Sequence, residues 1–161
     1  MPFFYPAVRL HRVTEITPDF LREHGIRALV LDVDNTLTTH NNPVPDREVM
    51  IWLREMKALD VGLVLLSNNS AKRVRPFAHG LELDFTSRAC KPLTVGLRRT
   101  AKRLGLEPRQ IAVVGDQIFT DIIAGNLYGS LSVLVDPMEP EKGPFFRFKR
   151  MIERHILKKG E

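Results

Sequence analysis

Two aspartates, Asp32 and Asp34, stand one residue apart in the stretch ALVLDVDNTLTTH, directly after an apolar run. Like charges at one strand end repel, and burying an unpaired charge is costly. A hard divalent cation resolves the conflict, because Mg²⁺ accepts one or two carboxylates together with water and phosphate oxygens. The pair also suits group transfer. Asp32 can act as metal ligand and as a nucleophile that attacks phosphorus to give an aspartyl-phosphate. Residues i and i+2 of a strand point the same way. Asp34 therefore reaches the same substrate, to protonate the leaving oxygen and then to activate the hydrolytic water.

Further along the chain come Ser67 in LLSNN, Lys91 before Pro92, and Asp116 and Asp121 in VVGDQIFTD. Ser67 and Lys91 are suited to holding and neutralising a phosphoryl group, whose transfer depends on positioning and charge stabilisation. Asp116 would complete the metal site, and Asp121 would hold Lys91 or a metal-bound water. Each residue also has an ordinary structural reading. The aspartates suit a strand-end turn and Ser67 a helix cap. Asn68 and Asn69 suit a turn, with substrate contact by Asn68 as the alternative. Thr36 suits turn fixation, and Cys90 suits packing. His40 divides evenly between solvent and substrate contact.

These residues need a frame that gathers them. Strands are expected over Arg27–Val33, Val61–Leu66, Glu82–Thr86, Gln110–Gly115 and Ser130–Val135. Helices are expected over Asp46–Leu59, Ser70–Ala78, Pro92–Leu104 and about Phe119–Leu127, with a short leading helix in TPDFLREHG. Short β-branched strands alternating with helices give an α/β fold with a mainly parallel sheet of about five strands, covered on both faces. Ligands of such sheets bind beyond the carboxyl ends of the strands, where the acids, the hydroxyl and the lysine all fall. At 161 residues the chain suits a single domain, with a core over about 26–136. The 32 residues between Asp34 and Ser67 and the 23 between Ser67 and Lys91 leave no room for a cap domain. An open crevice suits a phosphate carried on something large; the alternative is a homo-oligomer in which a partner subunit supplies the lid.

The quoted segments DVDNTLT, LLSNN, Lys91-Pro92 and VVGDQIFTD resemble, in order, the four motifs of haloacid dehalogenase superfamily phosphatases. With SNN, GDQIFTD and the FFRFKR tail, the resemblance narrows to the YqeG branch of subfamily IIIA and extends over nearly the whole chain. It implies a Rossmann-like three-layer sandwich, Asp32 as nucleophile, Asp34 as general acid/base and Ser67 and Lys91 as phosphate binders. It further implies Mg²⁺ held by Asp32, Asp116 and the backbone carbonyl of Asp34. This branch resembles phosphatases that convert phosphatidylglycerophosphate to phosphatidylglycerol, so a lipid headgroup is the expected substrate. A soluble sugar phosphate or nucleotide is the rival, and a receiver-like signalling module is disfavoured by the second acid, which speeds hydrolysis.

Charge is uneven along the chain. Between Pro144 and Lys159 six basic residues face one acid, an excess equal to the whole protein's +5. Phe145, Phe148, Ile152 and Ile156 recur there at helical spacing. Such a segment (144–159) either packs its apolar face on the domain or lies as a basic amphipathic helix on an anionic membrane. A nucleic-acid partner for the tail ranks behind these. The longest apolar runs fall far short of a membrane span and no signal peptide is evident. With one cysteine, Cys90, the expected location is the cytoplasm, peripheral on the inner face of the membrane if the tail docks.

Overall fold

The computed structural model describes residues 2–40 and 42–160. In chain order the elements are β1 (Val8–Leu10), α1 (Pro18–His24), β2 (Ala28–Leu31), α2 (Arg47–Ala58), β3 (Gly62–Leu66) and α3 (Ala71–Gly80). They continue as β4 (Asp84–Thr86), α4 (Val95–Leu104), β5 (Ile111–Gly115), α5 (Ile123–Tyr128), β6 (Leu131–Val135) and α6 (Pro144–Gly160). A wide π-type turn, Ile118–Ile122, leads into α5. The sheet order is β1-β6-β5-β2-β3-β4, parallel throughout.

The expected five strands become six. The additional one, β1, pairs Val8 with Val133 and Leu10 with Val135 at the sheet edge. Three residues, VRL, carry too little periodicity to announce a strand; β1 exists because β6 offers it an unpaired edge.

Alternation along the strands builds two cores. Leu29 and Leu31 of β2 face Trp52, Leu53, Met56 and Phe77 from α2 and α3. Ala28 and Val30 face Leu97 and Ala101 of α4. The period-2 pleat thus gives the three-layer sandwich, and strands buried on both faces need no polar residue until they end. Local signals set several helix limits as the sequence suggests. The Thr17 hydroxyl accepts from the Phe20 amide at 3.2 Å, Gly25 closes α1 at φ 65°, and Asp46 accepts from Val49 at 2.9 Å. α4 starts at Val95 instead of Pro92, because a turn precedes it in which Leu93 N donates to the Cys90 carbonyl at 2.8 Å.

α6 combines its two expected roles differently. Its inward contacts are made by Arg150, Glu153 and Leu157, with Leu157 packed on Ile118, Ile122 and Leu134. Ile152 and Ile156 are half-buried, whereas Phe145 and Phe148 stand 72% and 58% exposed. The apolar stripe therefore does not serve as the packing face at its N-terminal end. A buried salt bridge wins that contact, as described below. Among the described residues no helix is long and apolar enough to cross a membrane.

The chain leaves β2 towards β3 on one side, while β5 and β6 lie on the other. The switch point therefore falls between β2 and β5, and Asp32 and Asp116 follow those two strands directly. Gly115 makes their crevice possible: a Cβ there would stand 2.2 Å from the Asp121 carboxylate. Gly115→Ala should cost about 1–3 kcal/mol by overpacking. Thermal unfolding should show this as a midpoint lowered by roughly 2–4 °C per kcal/mol, and an unchanged midpoint would show that Asp121 has room to retreat.

Candidate active site

β2 delivers Asp32, whose amide donates to the Val114 carbonyl of β5 at 2.9 Å. The chain then turns sharply. Leu37 N donates to Val33 O at 3.0 Å, and Asn35 adopts φ 60°, a left-handed conformation that asparagine tolerates. Thr36, expected to fix this turn, also donates its hydroxyl towards Asp32 Oδ2 at 3.4 Å.

Lys91 lies at the centre. Its ammonium donates to Asp32 Oδ1 at 2.9 Å, Asp121 Oδ1 at 2.6 Å and the Leu66 carbonyl at 3.0 Å, so all three of its protons are used. The side chain is 4% exposed. Burial works against the charge, but the carboxylates of Asp121 and Asp32 outweigh it, and the Lys91 pKa is raised. Asn68 holds the residue from behind. Its Oδ1 accepts from Lys91 N at 2.8 Å, and its Nδ2 donates to Lys91 O at 3.0 Å. Asn68 is thus a clamp on the lysine backbone.

Asp116 is buried at the end of β5, and its Oδ1 has no hydrogen-bond partner. One oxygen each of Asp32, Asp116 and Asp121 lie within 4.8 Å of one another. Burial, then the neighbouring Asp32 and Asp121, push the Asp116 pKa well above the carboxylate range, against the opposing Arg150. Burial and Asp32 likewise raise Asp121 to about 6, opposed by Lys91 and by the Gln117 amide. Three carboxylates here meet two cations, Lys91 and Arg150, and one buried oxygen is left unpaired. An oxygen-rich site of that charge fits a divalent cation. The carboxylate of Asp34 lies outside this trio.

Asp34 occupies different surroundings from Asp32. Its Oδ2 accepts from Asn69 Nδ2 at 3.0 Å, and His40 Nδ1 stands 3.9 Å from Oδ1. His40 Nε2 lies 3.6 Å from Glu141 Oε1, placing His40 at the crevice rim, half in solvent. Ser67 is buried, and its Oγ accepts from the Asn69 amide at 3.1 Å, an ordinary turn bond that leaves the hydroxyl proton for another partner. Cys90, expected to pack, is exposed. Positive φ at Arg88 and Cys90 turns the loop so that Ala89 and Lys91 point inward and the thiol outward.

Arg150 was not legible as a site residue. It donates to the Asp116 backbone carbonyl and to Asp116 Oδ2, each at 2.6 Å, and to Glu153 at 2.9 Å. Glu153 in turn accepts from the Ile118 amide at 3.0 Å. In sequence Arg150 is one basic residue of a run, and such runs read as solvated faces. Only the pairing of Arg150 with Glu153 at i, i+3 hints at a fixed position.

The haloacid dehalogenase-like hydrolase family matches residues 44–129, a range that starts after Asp32 and Asp34. The chain is 33% identical over 155 residues to the probable phosphatase YqeG of Bacillus subtilis, covering 96% of this chain and 90% of that one. It is 28% identical over 173 residues to the chloroplastic/mitochondrial phosphatidylglycerophosphate phosphatase 1 of Arabidopsis thaliana, covering 98% of this chain but 48% of that one. In fold it resembles the crystal structure of an uncharacterised protein from Listeria monocytogenes serotype 4b. The TM-score is 0.60 at 16% identity, covering 74% of this chain and 85% of that one.

Two expectations follow from the charges. Arg150 opposes the upward shift of the Asp116 pKa, and a protonated acid is a poor ligand. Arg150 also holds Asp116 in place through its backbone carbonyl and Oδ2. Arg150→Ala should weaken Mg²⁺ binding by about 10-fold or more, measured by titration calorimetry at pH 7; tighter binding would show that repulsion dominates. The second concerns pH. Asp121 holds its proton to about 6 in the folded protein but releases it near 3.9 when unfolded. The fold then binds more protons than the unfolded chain between these values, so this contribution to stability is complete below the lower one. It is lost as pH rises through the upper. Without Mg²⁺, the melting point of the wild type should fall relative to Asp121→Asn between about pH 4 and 6; parallel curves would refute the shift.

Proposed function

The chain belongs to the haloacid dehalogenase-like hydrolases and is a phosphatase, and from that premise we propose that it hydrolyses phosphatidylglycerophosphate through a phosphorylated Asp32. An Asp32 oxygen attacks phosphorus and the ester P–O bond breaks. The departing alcohol oxygen takes the proton of Asp34. Asp34 then accepts a proton from the water that attacks the aspartyl-phosphate, releasing inorganic phosphate and regenerating Asp32. Lys91 offsets charge on Asp32 and on the transferring group, and the Ser67 hydroxyl donates to a phosphoryl oxygen. Asp32, Asp116 and the Asp34 carbonyl would hold the family's divalent cation, with Asp121 nearby; bound Mg²⁺ supplies positive charge for phosphoryl oxygens.

The observation that carries this reading is the buried ammonium shared by Asp32 and Asp121, beside the unpaired oxygen of Asp116. The different settings of Asp32 and Asp34 add support. One carboxylate is paired with a cation, as a nucleophile requires, while the other, among the described residues, lies against the Asn69 amide and the His40 imidazole. For the substrate, support comes from the named activity of the Arabidopsis relative. It also comes from exposed Phe145, Phe148 and Met151 lying among exposed Arg147 and Arg154 on α6. Such a face suits an anionic bilayer, with the apolar rings below the headgroups and the cations at their level. The whole chain then acts as one catalytic unit, peripheral on the cytoplasmic face of a membrane, with residues 144–159 as its docking arm.

Phosphate release from phosphatidylglycerophosphate in mixed micelles tests this, with a sugar phosphate and a nucleoside monophosphate as soluble rivals. The lipid should exceed both in kcat/KM, and a soluble ester turned over faster would displace it. Asp32→Asn should lose on the order of 10³-fold or more of the activity while melting as the wild type does. Substantial remaining turnover would remove Asp32 as nucleophile.

A further inference from the structure

A cavity of about 230 Å³ opens beside Asp34 and Ser67. Val33, Val74 and Phe77 supply apolar wall, while Asn69 and Arg73 supply its polar side. Its size is below the roughly 300–1,000 Å³ of pockets that enclose whole small ligands. It therefore takes part of a molecule whose remainder leaves through the mouth. A second cavity, about 380 Å³, touches Asp116 and α6 but not Asp34. If Asp34 protonates the leaving oxygen, the alcohol released must lie on the Asp34 side, and of these two cavities the first adjoins that residue.

The charge in this cavity is specific. Among the described residues, Arg73 is its one lining cation and Asp34 its one lining acid. Arg73 also stands in the first turn of α3 next to Lys72, in a turn that contains no acid. Cations at that end of a helix oppose the macrodipole. A guanidinium lining a recess with both apolar and polar walls is suited to a second anion on the same substrate. Its fork matches the oxygens of a phosphodiester or a carboxylate.

We propose that this cavity is the subsite for the leaving alcohol, and that Arg73 selects alcohols bearing a second anionic group a few bonds from the ester oxygen. The proposal rests on Asp34 being the proton donor. It defines the substrate class as phosphomonoesters of anionic alcohols. The diester of a lipid headgroup and that of its soluble deacylated form share this chemistry.

The test compares phosphatidylglycerophosphate in mixed micelles, its deacylated headgroup glycerophosphoglycerol phosphate, and glycerol 3-phosphate, which lacks the second anion. The quantity read is the ratio of kcat/KM for each anionic substrate over glycerol 3-phosphate. Arg73→Ala should lower both ratios by about 10-fold or more, chiefly through KM, and Arg73→Lys should restore part of the loss. Ratios that do not change overturn the proposal, as does a fall confined to the lipid, which would place Arg73 on the bilayer. Binding of glycerophosphoglycerol, the product alcohol, is followed by calorimetry on the wild type and Arg73→Ala. Arg73-dependent binding supports the subsite without reference to turnover, and binding insensitive to Arg73 overturns it. Absence of phosphate release from all three substrates would overturn the phosphatidylglycerophosphate reading, a result distinct from unchanged ratios.

Discussion

The site depends on one buried ammonium. Lys91 joins the end of β2, through Asp32, to the π-type turn after β5, through Asp121, and to the end of β3, through the Leu66 carbonyl. Three segments far apart in sequence meet at one nitrogen. Without that charge, carboxylates that burial already disfavours would face one another unopposed. Even with Lys91 and Arg150 present, the carboxylates outnumber the cations, because Arg150 is shared with Glu153 and Glu141. A site in that condition either takes up a proton or takes up a cation, and the raised pKa values of Asp116 and Asp121 express the first alternative.

The sheet explains why such a cluster is tolerated. Its central strands are apolar on both faces, so polar groups can collect only where strands stop. The switch between β2 and β5 opens a crevice at that edge, and Gly115 leaves the space that Asp121 fills. The supports are of two kinds. Asn68 fixes a backbone, and Arg150 fixes a carboxylate, so the charged groups sit on frames that do not themselves need to react.

The parts visible in the sequence were those with local signatures. β2, β3, β5 and β6 announce themselves as apolar runs, and Asp32, Asp34, Ser67, Lys91 and Asp116 follow directly at their ends or before a proline. Three things were hidden, each for a physical reason. β1 has no pattern of its own and is made by pairing. Asn68 has the composition of a turn, and its grip on Lys91 depends on a contact across 23 positions. Arg150 belongs to a basic run most of whose members face solvent, and the docking of α6 separates it, with Lys149 beside it, from them. The aromatic stripe of α6 was legible as a stripe, but its direction was not, because the Arg150–Glu153 pair and Leu157 determine which way the helix faces.

The edge strand bears on how the molecule assembles. Ala7 donates to the Ser132 hydroxyl at 3.0 Å, and Val8 pairs with Val133, so this strand is completed by a partner far along the chain. Closing so long a loop costs only about 2 kcal/mol more than closing one of ten residues, which makes the delay kinetic more than energetic. β1 has no partner strand until β6 is in place. Its brevity suits that interval: a free edge of three residues offers little for another chain to pair with while it waits.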